Sequence, residues 1–203
     1  KRIIQHFDFY EKKGINYSKS IFEVTSAVHP NEKGVAFELK SPTPAGIRYT
    51  TDGSEPILSS ASYTKPIVIT ENTKVKANYF EEGKAKSATI EQAFYINKST
   101  GKIIELVNPP HENYSIGGSF TLVDGMRGNP SKYGRDWLGF WGKDLIATID
   151  LGTTETISKI QINTLLGEGS WIYFPKEVQF LVSEDGKKFK TLKTITQKEV
   201  AAK

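Results

Sequence analysis

Arg127, Asn129, Arg135, Asp136, Trp137 and Trp141 crowd into one short, glycine-punctuated stretch of this 203-residue chain. These are the residue types that a ring with one apolar face and a polar rim requires. One face of a pyranose is a patch of C–H bonds, which an indole covers with little loss of hydration. The hydroxyls at its edge call for planar, multiply donating groups such as Arg, or acceptors such as Asp and Asn. Two of the four arginines lie here, whereas lysines are scattered along the whole chain. Trp171 and Tyr173, in "GSWIYFP", form a second aromatic group. The candidate sugar-binding set is therefore Arg127, Arg135, Asp136, Trp137, Trp141, Trp171 and Tyr173.

Packing competes with binding at these positions. A helix would align Trp137, Phe140 and Trp141, yet Gly139 and Gly142 would each cost about 1 kcal/mol in its interior. A strand would set Trp137 and Trp141 on one face and Leu138 and Phe140 on the other. Trp137 thus reads either as core or as ligand contact. "WIYFP" reads equally as a plug over the mouth of its domain.

Other chemistry is poorly supplied. His6, His29 and His111 are far apart, and none stands beside a pattern that activates a nucleophile. Clustered His and carboxylate ligands for a catalytic metal are missing from the pattern. Glu81-Glu82 and Glu184-Asp185 fall in expected turns, where solvated charge is ordinary. Without cysteine there is neither thiol nucleophile nor disulfide. Independent catalysis is not expected.

The elements that must position the aromatic loops are strands. Residues 1–23 are expected to be a terminal helix and linker from an upstream domain, the one helical stretch, with Ile3, Ile4, Phe7 and Tyr10 on a single stripe and Gly14 as its C-cap. From about residue 24 the period becomes two. Val35, Phe37 and Leu39 alternate, then Ile47, Tyr49 and Thr51, Ile67 and Ile69, and Val75, Ala77 and Tyr79. Asp52-Gly53 and Glu82-Gly83 mark hairpin turns. This pattern predicts an immunoglobulin- or fibronectin III-like β-sandwich over residues 24–97. Hydrophobicity drops at "NKSTGK", and a second all-β unit is expected over residues 98–203. Its strands are marked by Leu145, Ala147 and Ile149, by Ile160 and Ile162, and by Val178, Phe180 and Val182. Long loops at 108–118, 124–144 and 165–175 hold all the tryptophans. The net charge of +4 is spread evenly, with no basic stripe to track phosphates, and no apolar run is long enough to cross a bilayer. The chain opens on Lys1-Arg2 without methionine and is expected to be a piece of a longer protein.

Three stretches resemble known families. "GIRYTTDGSEPILSSASYTKPI", residues 46–67, resembles the C-terminal β-sandwich module of chitobiases and β-hexosaminidases. "HFDFYEKKGINYSKSIFEV" is similar to the end of the family 20 glycoside hydrolase barrel. "LVDG", "ATIDLG" and "VSEDGKKF", in that order, resemble the coagulation factor 5/8 type C, discoidin-like jelly roll, whose relatives include family 32 carbohydrate-binding modules. Together these look like the C-terminal part of a β-N-acetylhexosaminidase of the Bacteroides type. The resemblance implies a galactose-binding-like jelly roll after the first sandwich, shortened at its C-terminus, and a periplasmic or extracellular location. It implies glycan partners of the galactose or N-acetylhexosamine type and an upstream catalytic domain in the same polypeptide. The adjacent Asp-Glu pair of family 20 catalysis does not occur in the chain. Asp124 matches a position type that holds a structural calcium in discoidin-like modules, and it reads equally as an Asx-turn residue. Two rival roles accompany carbohydrate binding: a structural buttress of the barrel, and an adhesion module acting through apolar loop tips.

Overall fold

The computed structural model describes residues 6–198 apart from 8, 11, 17, 19, 42 and 43. It comprises two compact units, residues 1–96 and 97–203, and the fold is mainly β. The strands of the first unit are β1 (Thr25–Asn31), β2 (Gly34–Lys40), β3 (Ile47–Thr50), β4 (Ala61–Ser62), β5 (Ile67–Ile69), β6 (Thr73–Glu81), β7 (Lys84–Ala85) and β8 (Ile90–Phe94). They form two antiparallel sheets, β1-β2-β5 and β4-β3-β6-β7, with β8 also paired to β6.

The period-two residues face the space between these sheets. Val35, Phe37 and Leu39 of β2, Ile69 of β5, Ile47 of β3, Val75, Ala77 and Tyr79 of β6 and Phe94 of β8 are all buried. Phe37 meets Phe94 edge to face, with ring centroids 5.1 Å apart. Where β6 passes from β7 to β8, side chains stand in for the ladder. Ser87 Oγ donates to Asn78 Oδ1 and accepts from Tyr79 N, while Asn78 Nδ2 donates to Thr89 Oγ1. Buried Asn78 is thereby satisfied, as its burial demands.

Tyr63 is buried, and its hydroxyl accepts the backbone N–H of Leu39 at 3.0 Å. Tyr63→Phe removes only that acceptor and leaves a buried donor unpaired. A loss of about 1–3 kcal/mol is expected for the first unit, measurable by urea titration.

Glu82 and Gly83, both at positive φ, close the two-residue hairpin between β6 and β7, as their sequence predicts. Asp52-Gly53 does not act as a tight hairpin. Asp52 Oδ1 accepts from Ser54 N and Ser54 Oγ, an Asx turn at the start of the longer connection between β3 and β4. The helical stripe is seen in part, since Ile3 and Ile4 lie outside the described residues. Gly14 has φ +65°, and Ile15 N donates to Tyr10 O across it, as in a glycine C-cap. Phe7 of this stripe meets Phe22, which stacks on Tyr79.

The strands of the second unit are β9 (Ile103–Leu106), β10 (Ala147–Asp150), β11 (Glu177–Val182) and β12 (Lys190–Thr196). They make two antiparallel ladders, β9-β10 and β11-β12, the latter with a register shift between Phe180 and Leu181. Val178, Phe180 and Val182 are the more buried positions of β11, as their alternation predicts. The strand expected at Ile160 and Ile162 does not form. Those side chains are exposed, and no described segment pairs with them.

Candidate functional site

The loop between β9 and β10 is held by backbone pairs and by close approaches at glycine. His111 N donates to Gly139 O at 2.7 Å, and Gly139 N donates to Tyr114 O at 3.1 Å. A Cβ on Gly139 would stand 2.8 Å from Tyr114 Cβ, so glycine is what lets the two strands of the loop touch. Around this seam His111, Tyr114 and Trp141 form one aromatic group. The imidazole centroid lies 5.9 Å from the Tyr114 ring and 5.7 Å from the Trp141 ring.

Trp141 is 81% exposed, although its ring rests beside His111. His111 Nδ1 accepts the backbone N–H of Asn113, which assigns the proton of the neutral ring to Nε2. An indole face and an imidazole donor therefore stand together on the surface of one loop. Sequence reasoning missed His111 and Tyr114, because it weighed histidines only as catalytic or metal groups. The available signal was the length of the 108–118 loop that carries both.

Trp137 behaves differently from Trp141. Its Nε1–H donates to Asn129 O at 2.9 Å, and its ring lies against Gly128, where a Cβ would come within 2.4 Å. Of the two readings of Trp137, the geometry favours packing: the indole pins the loop on itself. Asp136 shares this task. Its Oδ2 accepts from Asn129 N, and its Oδ1 lies 3.3 Å from Arg135 Nε. Arg135, Asp136, Asn129 and Trp137 thus form one network, with the Arg135 side chain nearly half exposed. Arg127 is exposed.

Trp171 and Tyr173 belong to a separate turn. Trp171 is 84% exposed and sits at φ +59°, a left-handed conformation that costs a non-glycine residue about 1 kcal/mol or more. Gly167 and Ile172 bridge beneath it, with Gly167 N donating to Ile172 O at 3.0 Å and Ile172 N to Gly167 O at 3.1 Å. Trp171 therefore stands out from a tied turn and does not plug the unit.

Asp124 is buried, and its Oδ1 accepts from Met126 N at 2.7 Å, which is the Asx-turn arrangement. Burial, and to a lesser degree the Asp136 carboxylate, push its carboxyl up to about 7 against the Met126 hydrogen bond. Among the described residues no three His, Cys, Asp or Glu side chains converge on a metal position. The folded state therefore holds a proton on Asp124 at pH values where the unfolded chain has released it. Stability of the second unit is expected to fall as pH rises from about 4 to 7, by up to about 1.4 kcal/mol per unit. Asp124→Asn should flatten that slope, as thermal melts across the window would show.

Residues 37–100 match the family described as "Fn3 associated". This is about a third of the chain, and it runs from within β2 past the end of β8. The match supports a fibronectin III-associated sandwich there. No curated protein sequence matches the chain.

Proposed function

We propose that the second unit is a weak carbohydrate-binding module within a non-catalytic accessory region of a glycoside hydrolase. The observation that carries this reading is the exposed Trp141 indole, set beside an imidazole whose Nδ1 is taken by the Asn113 N–H, leaving Nε2 as the ring's donor. Stacking covers the C–H face of a pyranose, and the imidazole addresses its edge. The Arg135–Asp136 pair supplies further donors and acceptors in the same loop. Galactose and N-acetylhexosamines are the sugars to test first, in keeping with the hexosaminidase resemblance of residues 46–67 and the discoidin-like pieces of the second unit. The Fn3-associated match supports an accessory role.

Affinity is modest on this reading. At about 0.3 kcal/mol per heavy atom, a monosaccharide gains about 4 kcal/mol, which corresponds to a millimolar dissociation constant. Such a module acts by tethering, raising the local concentration of glycan for a catalytic domain on the same polypeptide. Calcium is a minor part of the proposal. Calcium would have to displace the proton that burial holds on Asp124, and backbone oxygens would supply the remaining ligands. A rise in the melting temperature of the second unit with added calcium tests that assignment.

The experiment for the whole reading is calorimetric titration of the chain with a glycan panel. Millimolar binding of at least one pyranoside supports it. Indifference to every sugar, together with binding to liposomes, would instead favour adhesion through exposed apolar residues such as Leu166, Trp171 and Tyr173.

A further inference from the structure

His111 is the only histidine of the second unit, and both its backbone and its ring fasten the loop that carries Trp141. Its N–H reaches Gly139 O, and its carbonyl accepts from Tyr114 N at 2.8 Å. Its ring caps the short turn Glu112–Tyr114, with Nδ1 lying 3.3 Å from the Asn113 nitrogen. The side chain at such a position is ordinarily Ser, Thr, Asn or Asp, whose oxygen is the acceptor. An imidazole nitrogen accepts only while it carries no proton. With histidine as the cap, closure of the turn depends on the charge of one ring.

A proton on Nδ1 turns that acceptor into a donor. Two N–H groups then face each other across the cap, and the ring must leave. Its charge also gives it a destination, because an imidazolium is attracted to aromatic faces. Of the two rings beside it, Tyr114 and Trp141, the indole is the more open. Neighbouring charges do not compensate. Glu112 and Tyr114 are the titratable groups of its own turn. The helical turn Tyr133–Asp136 packs against that turn and brings Tyr133, Arg135 and Asp136. Arg135 and Asp136 engage each other, and Asp136 also holds Asn129. Lys143 and Asp144 follow Trp141 along the facing segment. Among the described residues no carboxylate pairs with His111, so no counter-charge offsets the lost acceptor.

We propose that His111 is a proton-operated latch on the aromatic loop. The neutral ring holds the turn closed and leaves the Trp141 face open; the imidazolium releases the turn and covers that face. The consequence for sugar rests on the carbohydrate reading above. A pyranose and the proton then oppose each other, so binding strengthens as pH rises through about 5–8, where an imidazole loses its charge.

The latch is tested first without sugar. At about pH 8, nitrogen NMR of the imidazole is expected to find the proton on Nε2 and none on Nδ1. Between about pH 8 and pH 5, protection of the Tyr114 and Gly139 amides against hydrogen exchange should fall about fivefold, as for loss of one cap. An Asp124→Asn background removes the buried carboxyl that also takes up a proton in this range. Adding His111→Asn, whose amide oxygen can cap the turn regardless of pH, should make the protection level across the range. Galactose and N-acetylglucosamine are then titrated at both pH values, with binding about fivefold weaker in acid expected. A neutral ring protonated on Nδ1, equal protection at the two pH values, or a fall that His111→Asn retains would overturn the latch. Equal sugar affinity at the two pH values would overturn its coupling to binding. Failure of both sugars at both pH values would count against the carbohydrate reading alone, and amide exchange would still decide the latch.

Discussion

Replacing Trp141 with alanine is expected to weaken binding of the preferred sugar about tenfold, with no change in the melting temperature of either unit. The two halves of this result have separate causes. An aromatic contact contributes about 0.5–1.5 kcal/mol beyond the area it covers, and about 1.4 kcal/mol is tenfold in affinity. From a millimolar starting point, that loss carries binding to the edge of detection. Stability should not follow, because the Trp141 ring is mostly in water and its removal opens no cavity. Trp137→Ala is the contrasting variant. Its indole ties Asn129 and covers Gly128, so the loop itself loosens and both affinity and melting temperature should drop. Calorimetry and thermal melts on the two variants distinguish a platform from a prop.

The largest stability effect is expected in the first unit. Phe37 is 1% exposed and meets Phe94 between the two sheets. Phe37→Ala removes a whole ring from a site whose walls are strands on both sides, and the cavity can close only partly. The cost is about 3–5 kcal/mol, a large part of what a domain of this size has. Urea unfolding followed by far-UV circular dichroism should show the midpoint of the first unit collapse. Sugar binding by the second unit, if assayed below that transition, should persist.

The difference between the units is also the difference between what their residues revealed and what they hid. Alternation at Val35, Phe37 and Leu39 is legible because β1 and β5 pair both edges of β2 while the facing sheet, Phe94 included, buries one of its faces. Ile160 and Ile162 alternate just as well, yet no ladder forms, because periodicity reports a face and says nothing of a partner. Turn chemistry behaved in the same way. Glu82-Gly83 and Asp52-Gly53 are the same kind of dipeptide, but only the first is closed by strands on either side. Short-range capture of Ser54 decided the second.

The aromatic loop was legible in composition but not in the sorting of its members. Which indole packs and which faces solvent depends on Gly128 lying under Trp137 and Gly139 lying against Tyr114. Such contacts join residues distant in the chain and leave no periodic trace. His111 was overlooked for a related reason. Its place beside Trp141 is set by a hydrogen bond to Gly139, and its available proton by the Asn113 N–H. The strained backbone at Trp171 had no sequence signal at all. Left-handed backbone at an exposed tryptophan is unusual, and it marks that turn for substitution alongside the main loop.

The sharpest measurement is a sugar titration watched through the indole N–H signals in a proton–nitrogen correlation spectrum. The chain has three tryptophans, so each signal can be assigned by one substitution apiece. With galactose or an N-acetylhexosamine added, the Trp141 signal is predicted to move with millimolar saturation, while Trp137, bonded to Asn129 O, stays nearly still. Three unmoved indoles across the whole panel would contradict the account.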